Sequence, residues 1–110
     1  MKLNPDILRA AYAFLAETEP FVRWPLPDAE DVVFKVYRSN VAYGDHGILP
    51  NGRHEVRISE RLVGHTATLL EVIAHEMVHM LDTGKAQHGA AFHRLGRQVC
   101  RHHGFDPKRF

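Results

Sequence analysis

Residues 75 to 79 read HEMVH, two histidines bracketing a glutamate at the spacing of a catalytic zinc site. Side chains four apart on a helix lie one above the other, so His75 and His79 can both bond one ion at ~2.0–2.1 Å. Glu76 then projects to one side, within reach of a water on the metal. Zinc lowers the pKa of such a water toward ~7, and a neighbouring carboxylate can take its proton as it attacks a carbonyl. With nine His and seven Glu in 110 residues, random placement yields the pattern with a probability of roughly 5%. The surrounding sequence has to decide.

At 100° per residue, Leu70, Ile73, Ala74, Met77, Val78 and Leu81 gather into one apolar arc, and His75 and His79 fall on the other side of the helix. A third ligand is then needed. A metzincin requires Gly at 82 and His at 85, where this chain has Asp82 and Lys85, and no Glu follows Glu76 to serve as a gluzincin ligand. His88, His93, His102 and His103 are left. His88 is favoured on geometry, because a break at Gly84 can fold the chain back and bring the start of a last helix against the long one. Three histidines leave a fourth position for water or substrate, as catalysis requires.

The elements that must hold these residues follow from pattern. Asn4 and Pro5 open an amphipathic helix over 4–17 with Ile7, Leu8, Ala11, Phe14 and Leu15 inward. The three prolines of 18–31 end it in an irregular connection where Trp24 caps the core. Alternation predicts a strand over 32–38, an extended segment at Val41–Tyr43, a reversal near Asn51 and a strand over 54–59. Together they suggest a small three-stranded antiparallel sheet with one face packed on helices. The long helix should run from Thr66 or Thr68 to Leu81, with Thr68 and Glu71 as a capping box. A last helix from about Gly89 to His103 turns Ala91, Phe92, Leu95, Val99 and Cys100 inward. The fold class is α+β, and 1–110 is the length of one ordinary domain.

Composition limits the alternatives. Apolar residues at 45% and charged residues at 25% match a folded globular protein. No apolar run approaches the roughly 18 residues of a membrane span, and no secretory cleavage pattern follows Met1, so a cytoplasmic, monomeric protein is expected. Cys100 can form neither an internal disulfide nor a cysteine zinc ribbon by itself and reads as a small buried hydrophobe. Charge is uneven: 51–110 holds nine basic and six acidic side chains against five and seven in 1–50. Arg94, Arg97 and Arg101 form a stripe on the last helix that could meet DNA phosphates, although a solvated surface explains it more simply.

HEMVH followed by HG at 88 and 89, with Phe92 three residues later and the strand-like RHEVRIS before the helix, resembles the SprT-like family of zinc metallopeptidases, which includes the Spartan proteases of DNA-crosslinked proteins. The resemblance implies a minimal zincin-like fold. It also implies Zn²⁺ on His75, His79 and His88, Glu76 as general base, and a protein or peptide substrate that includes DNA-associated proteins. The cysteine zinc ribbon that bacterial members often add is not in this sequence. For supporting roles, Asp82 lies on the ligand side of the helix and could orient a histidine. Tyr43, Tyr37 and Arg53 are candidates to stabilise an oxyanion. A substrate could add as an extra strand at the sheet edge. The alternative from another class is a zinc-stabilised protein- or DNA-binding module with little or no protease activity.

Overall fold

The computed structural model of the chain describes residues 2–82 and 88–110. The first helix, α1 (Pro5–Ala16), begins as its sequence predicts, with Asn4 Oδ1 accepting from the Ile7 N–H at 2.9 Å and Pro5 in the first turn. Its buried face is Leu8, Tyr12 and Leu15. Phe14, expected inward, is 58% exposed. Tyr12 takes the space instead, because its hydroxyl finds the Pro27 carbonyl at 2.5 Å and its ring meets Phe34 edge-on at 5.6 Å. Trp24, in the connection that follows, sits half-buried against Phe21 and packs on the core.

The sheet has strands β1 (Val33–Tyr37), β2 (Gly44–Ile48) and β3 (His54–Ser59) in the order β1-β3-β2. Two expectations are corrected here. The sheet is mixed, not antiparallel: β3 pairs parallel with β1 and antiparallel with β2. The second strand is the glycine-containing GDHGI and not Val41–Tyr43, and Val41 is 93% exposed. Ser59 explains the crossing. Its buried hydroxyl donates to the Ser39 carbonyl at 2.7 Å and accepts from the Ser39 N–H at 3.0 Å, pinning the 38–43 connection across the end of β3. The chain therefore reaches the far side of β3 before it forms β2. The reversal near Asn51 forms as expected, with Gly52 at φ +86° and the Leu49 N–H donating to the Arg53 carbonyl.

One sheet face is apolar, built from Phe34 and Val36 of β1 beside Val56 and Ile58 of β3. Onto it packs α2 (Thr66–Leu81), burying Ile73, Ala74, Met77 and Val78. Leu69, Glu76 and Met80 are buried too, while Leu70 and Leu81 of the predicted arc are half-buried, because α2 is central and touches α1, β2, β3 and the last helix, α3 (Ala90–His103). The predicted capping box does not form: His65 is the N-cap and Thr68 lies inside the helix, while Glu71 faces Arg109 at 3.6 Å. On α3, Phe92, Gly96, Val99 and Cys100 are buried. The break expected at Gly84 lies outside the described residues. Among the described residues, no helix is long and apolar enough to cross a membrane.

Candidate metal centre

His75 and His79 stand one turn apart on α2, their Nε2 atoms 3.2 Å from each other. His88, just before α3, brings its own Nε2 to 3.2 Å from that of His79. All three candidate ligand atoms lie within 4.8 Å of one another, so the group could hold a metal ion. The spacing suits one: two nitrogens bonded tetrahedrally at ~2.0–2.1 Å stand ~3.3 Å apart. The other sequence candidates for the third position do not converge. His93 is exposed with its ring against Phe92, His102 is exposed, and His103 bonds the Thr18 hydroxyl at 2.9 Å beside α1.

Electrostatics favour ligation. Burial, reinforced by His79 and His88, pushes the His75 imidazole down to about 4, and burial followed by His88 lowers His79. Near pH 7 these rings are neutral and offer lone pairs without first losing a proton. Glu76 is only 4% exposed, and burial, then the charge of Asp45, pushes its carboxyl up to about 8. It lines the same cleft as the triad, a hollow of about 440 Å³.

The opposite wall of that cleft is β2, an edge strand with Gly44, Asp45, His46 and Gly47 facing the opening. Gly44 is needed there. A Cβ on it would stand 2.8 Å from the Arg57 carbonyl oxygen and 3.0 Å from Val72 Cγ1 of α2, so the glycine lets helix and sheet approach. His46 was missed by sequence reasoning. Opposite Val56 in the register, it faces α2, with its ring parallel to that of His79 at 6.5 Å and its Nε2 2.7 Å from His54 Nδ1 on the diagonal position of β3. The signal for it was an apolar face continuing from Gly44 through His46 to Ile48, which the glycines disguised.

The remaining candidates disperse. Asp82 ends α2, lines the cleft, and its charge acts on His79. Tyr43, half-exposed, lines a neighbouring hollow together with His75 and Glu76. Tyr37 lies under the Arg57 guanidinium on the other sheet face. Arg53 is spent on the Glu30 and Asp31 carbonyls and does not reach the cleft. Arg94, Arg97 and Arg101 are all exposed on α3.

A search among curated proteins found no match. The profile of the SprT-like family, in contrast, matches residues 13–109 and so takes in the sheet, the HEMVH helix and the third histidine alike; the chain belongs to the SprT-like family.

Proposed function

We propose that the protein is a zinc-dependent endopeptidase, with His75, His79 and His88 as the metal ligands and Glu76 as the general base. One observation carries the reading: three imidazoles converge at ligand spacing in a cleft that also receives the carboxyl of Glu76 from α2. A divalent ion held by these histidines would supply Lewis acidity to a water and a carbonyl, and its charge would oppose the upward shift of Glu76. Three nitrogen donors suit zinc among the common divalent ions.

The chain's own residues do the rest. Glu76, walled off from bulk water, takes a proton from the attacking water and returns it to the leaving amine. The free edge of β2 offers backbone groups to an extended peptide laid along the cleft, which makes recognition largely main-chain and sequence preference low. Tyr43 is the nearest of the proposed oxyanion donors, since it borders His75 and Glu76. Family membership supports DNA-associated proteins as substrates, and the exposed arginines of α3 would face the phosphates.

The test compares wild type with Glu76→Gln for bound zinc and for cleavage of casein and histone, with and without DNA. Equal zinc with cleavage lost only in the variant is the expected outcome. Zinc in both and cleavage in neither, across substrates and DNA forms, would make the protein a zinc-stabilised binding module.

A further inference from the structure

Beside the cleft of the triad lies a second hollow, of about 400 Å³. The two share Gly44, His75 and Glu76, so the second opens on the first at one candidate ligand and at the proposed base. Its lining differs in kind. Where the cleft presents histidines and Asp45, the hollow presents Ala42, Tyr43, Val72 of α2 and Phe110. The ionic residues at the hollow, Glu71 and Arg109, stand 3.6 Å apart and answer each other. In volume it falls at the small end of the range for ligand sites, ~300–1,000 Å³, with room for one large side chain.

The walls are fixed before any ligand arrives. Ser39 Oγ accepts from the Val41 and Ala42 N–H groups at 3.2 and 3.0 Å, and the Tyr43 carbonyl accepts from the Ser59 N–H at 2.8 Å, which hold the 38–43 connection in shape. The Phe110 ring lies 5.3 Å from the His75 ring and is seated on α3, where a Cβ at Gly96 would stand 3.1 and 3.2 Å from two of its carbons. Tyr43 is nevertheless 51% exposed, an aromatic on the hollow that the fold itself does not cover.

Strand polarity decides which part of a peptide reaches it. β2 runs from Gly44 to Ile48 along the cleft, and the hollow lies at its Gly44 end. An added strand pairs slightly better antiparallel than parallel, so the peptide runs from the Ile48 end toward Gly44 and passes the triad first. From His46, whose ring is parallel to that of His79, to Gly44 is two residues, ~7 Å of strand. The side chain that arrives there follows the scissile bond. A carboxylate would face Glu71 and Glu76, whereas an apolar group covers Val72, Tyr43 and Phe110 and gains from their burial.

We propose that this hollow is a side-chain subsite that takes a large apolar residue, Leu or Phe, immediately after the scissile bond. It rests on the reading of the triad and Glu76 as a peptidase centre, and it adds one side-chain preference to recognition that is otherwise main-chain.

Zinc-loaded protein is titrated calorimetrically with acetohydroxamate, which reports the metal alone, and with hydroxamate-capped dipeptides that differ only in the first side chain: Leu, Phe, Ala, Asp or Lys. Leu and Phe should bind roughly 10-fold or more tighter than Ala, and Asp more weakly than Ala. Val72→Phe fills the hollow and should bring Leu and Phe to within about threefold of Ala, with zinc content and acetohydroxamate affinity as in wild type. Ala42→Trp fills it from the opposite wall and serves if Val72→Phe does not fold. In casein digests the residue after each cut should be Leu or Phe for wild type and Gly or Ala for the filled variants. Acetohydroxamate binding with a flat series, Asp or Lys ranked first, or the wild-type ranking kept in the filled variants overturns the subsite alone. A ranked series without cleavage defeats the peptidase reading and leaves the hollow a binding site for an apolar side chain. Wild type that takes up no Zn²⁺ overturns the metal reading and the subsite with it.

Discussion

The protein carries two histidine clusters a few ångströms apart, and they differ in kind. In the triad, His79 Nε2 stands 3.2 Å from the Nε2 atoms of both His75 and His88, and all three ligand atoms lie within 4.8 Å of one another, open toward the cleft. In the pair on the sheet, His46 and His54 stack at 5.0 Å and close a single N···N contact of 2.7 Å. Nitrogens 2.7 Å apart share a proton; an ion bonded to both needs ~3.3 Å. The difference arises from the backbone beneath. A helix offers ligands from stacked turns and a second helix can close on them, whereas diagonal strand positions put two rings face to face.

Removing one ring from each cluster should separate them most. His79→Ala is expected to weaken Zn²⁺ binding by about 10²–10³-fold, one ligand's share of the binding free energy, and His54→Ala by less than about threefold, both read by chelator competition. Comparable losses from the two variants would mean that the clusters act as one site.

The next largest effect concerns the strand that carries His46. Gly44→Ala forces a Cβ against the Arg57 carbonyl and should cost on the order of 2–3 kcal/mol in urea unfolding. Gly47→Ala has nothing within 4 Å and should stay within about 0.5 kcal/mol.

Protonation sharpens the contrast further. Burial, then His54 and His79, push His46 down to about 4, so in chelator-treated protein the unfolded chain binds more protons than the folded one between pH 6.5 and about 4. Stability must therefore fall as pH drops through that window. His46→Gln should reduce the loss between pH 7 and pH 5 by ~1–2 kcal/mol, measured as the shift in urea midpoint. A loss of the same size in the variant would assign it to the other buried histidines and not to His46.

The smallest effect is expected far from both clusters. Replacing Arg94, Arg97 and Arg101 together by alanine should change stability by less than about 0.5 kcal/mol, since all three are exposed. If α3 meets DNA, the same variant should lose salt-sensitive retention on a DNA column. No salt-sensitive retention of the wild type would remove DNA from the reading.

Much was legible in the sequence because it is local. Asn4 and Pro5 start α1, the HEVRIS alternation makes β3, and the four-residue spacing of His75 and His79 puts them on one helix face, each a matter of short-range periodicity and capping. Phe14 and Tyr12 were confused because helical phase alone cannot say which of two aromatics finds a hydroxyl acceptor across the core.

What only the tertiary structure decided lies between distant residues. The parallel pairing of β1 with β3 depends on Ser59 gripping Ser39, and β2 is a strand because β3 pairs with it, not because GDHGI favours extension. The sequence by itself narrowed the third histidine to four candidates and favoured His88; the approach of α3 to α2 brought His88, and not the others, to Nε2 distance. His46 left only the face pattern that its flanking glycines disguised, and Phe110 left no signal. Each reaches the triad through a contact across the fold, from the neighbouring sheet edge in one case and by the reversal after α3 in the other, and neither spacing nor composition encodes a distance of that kind.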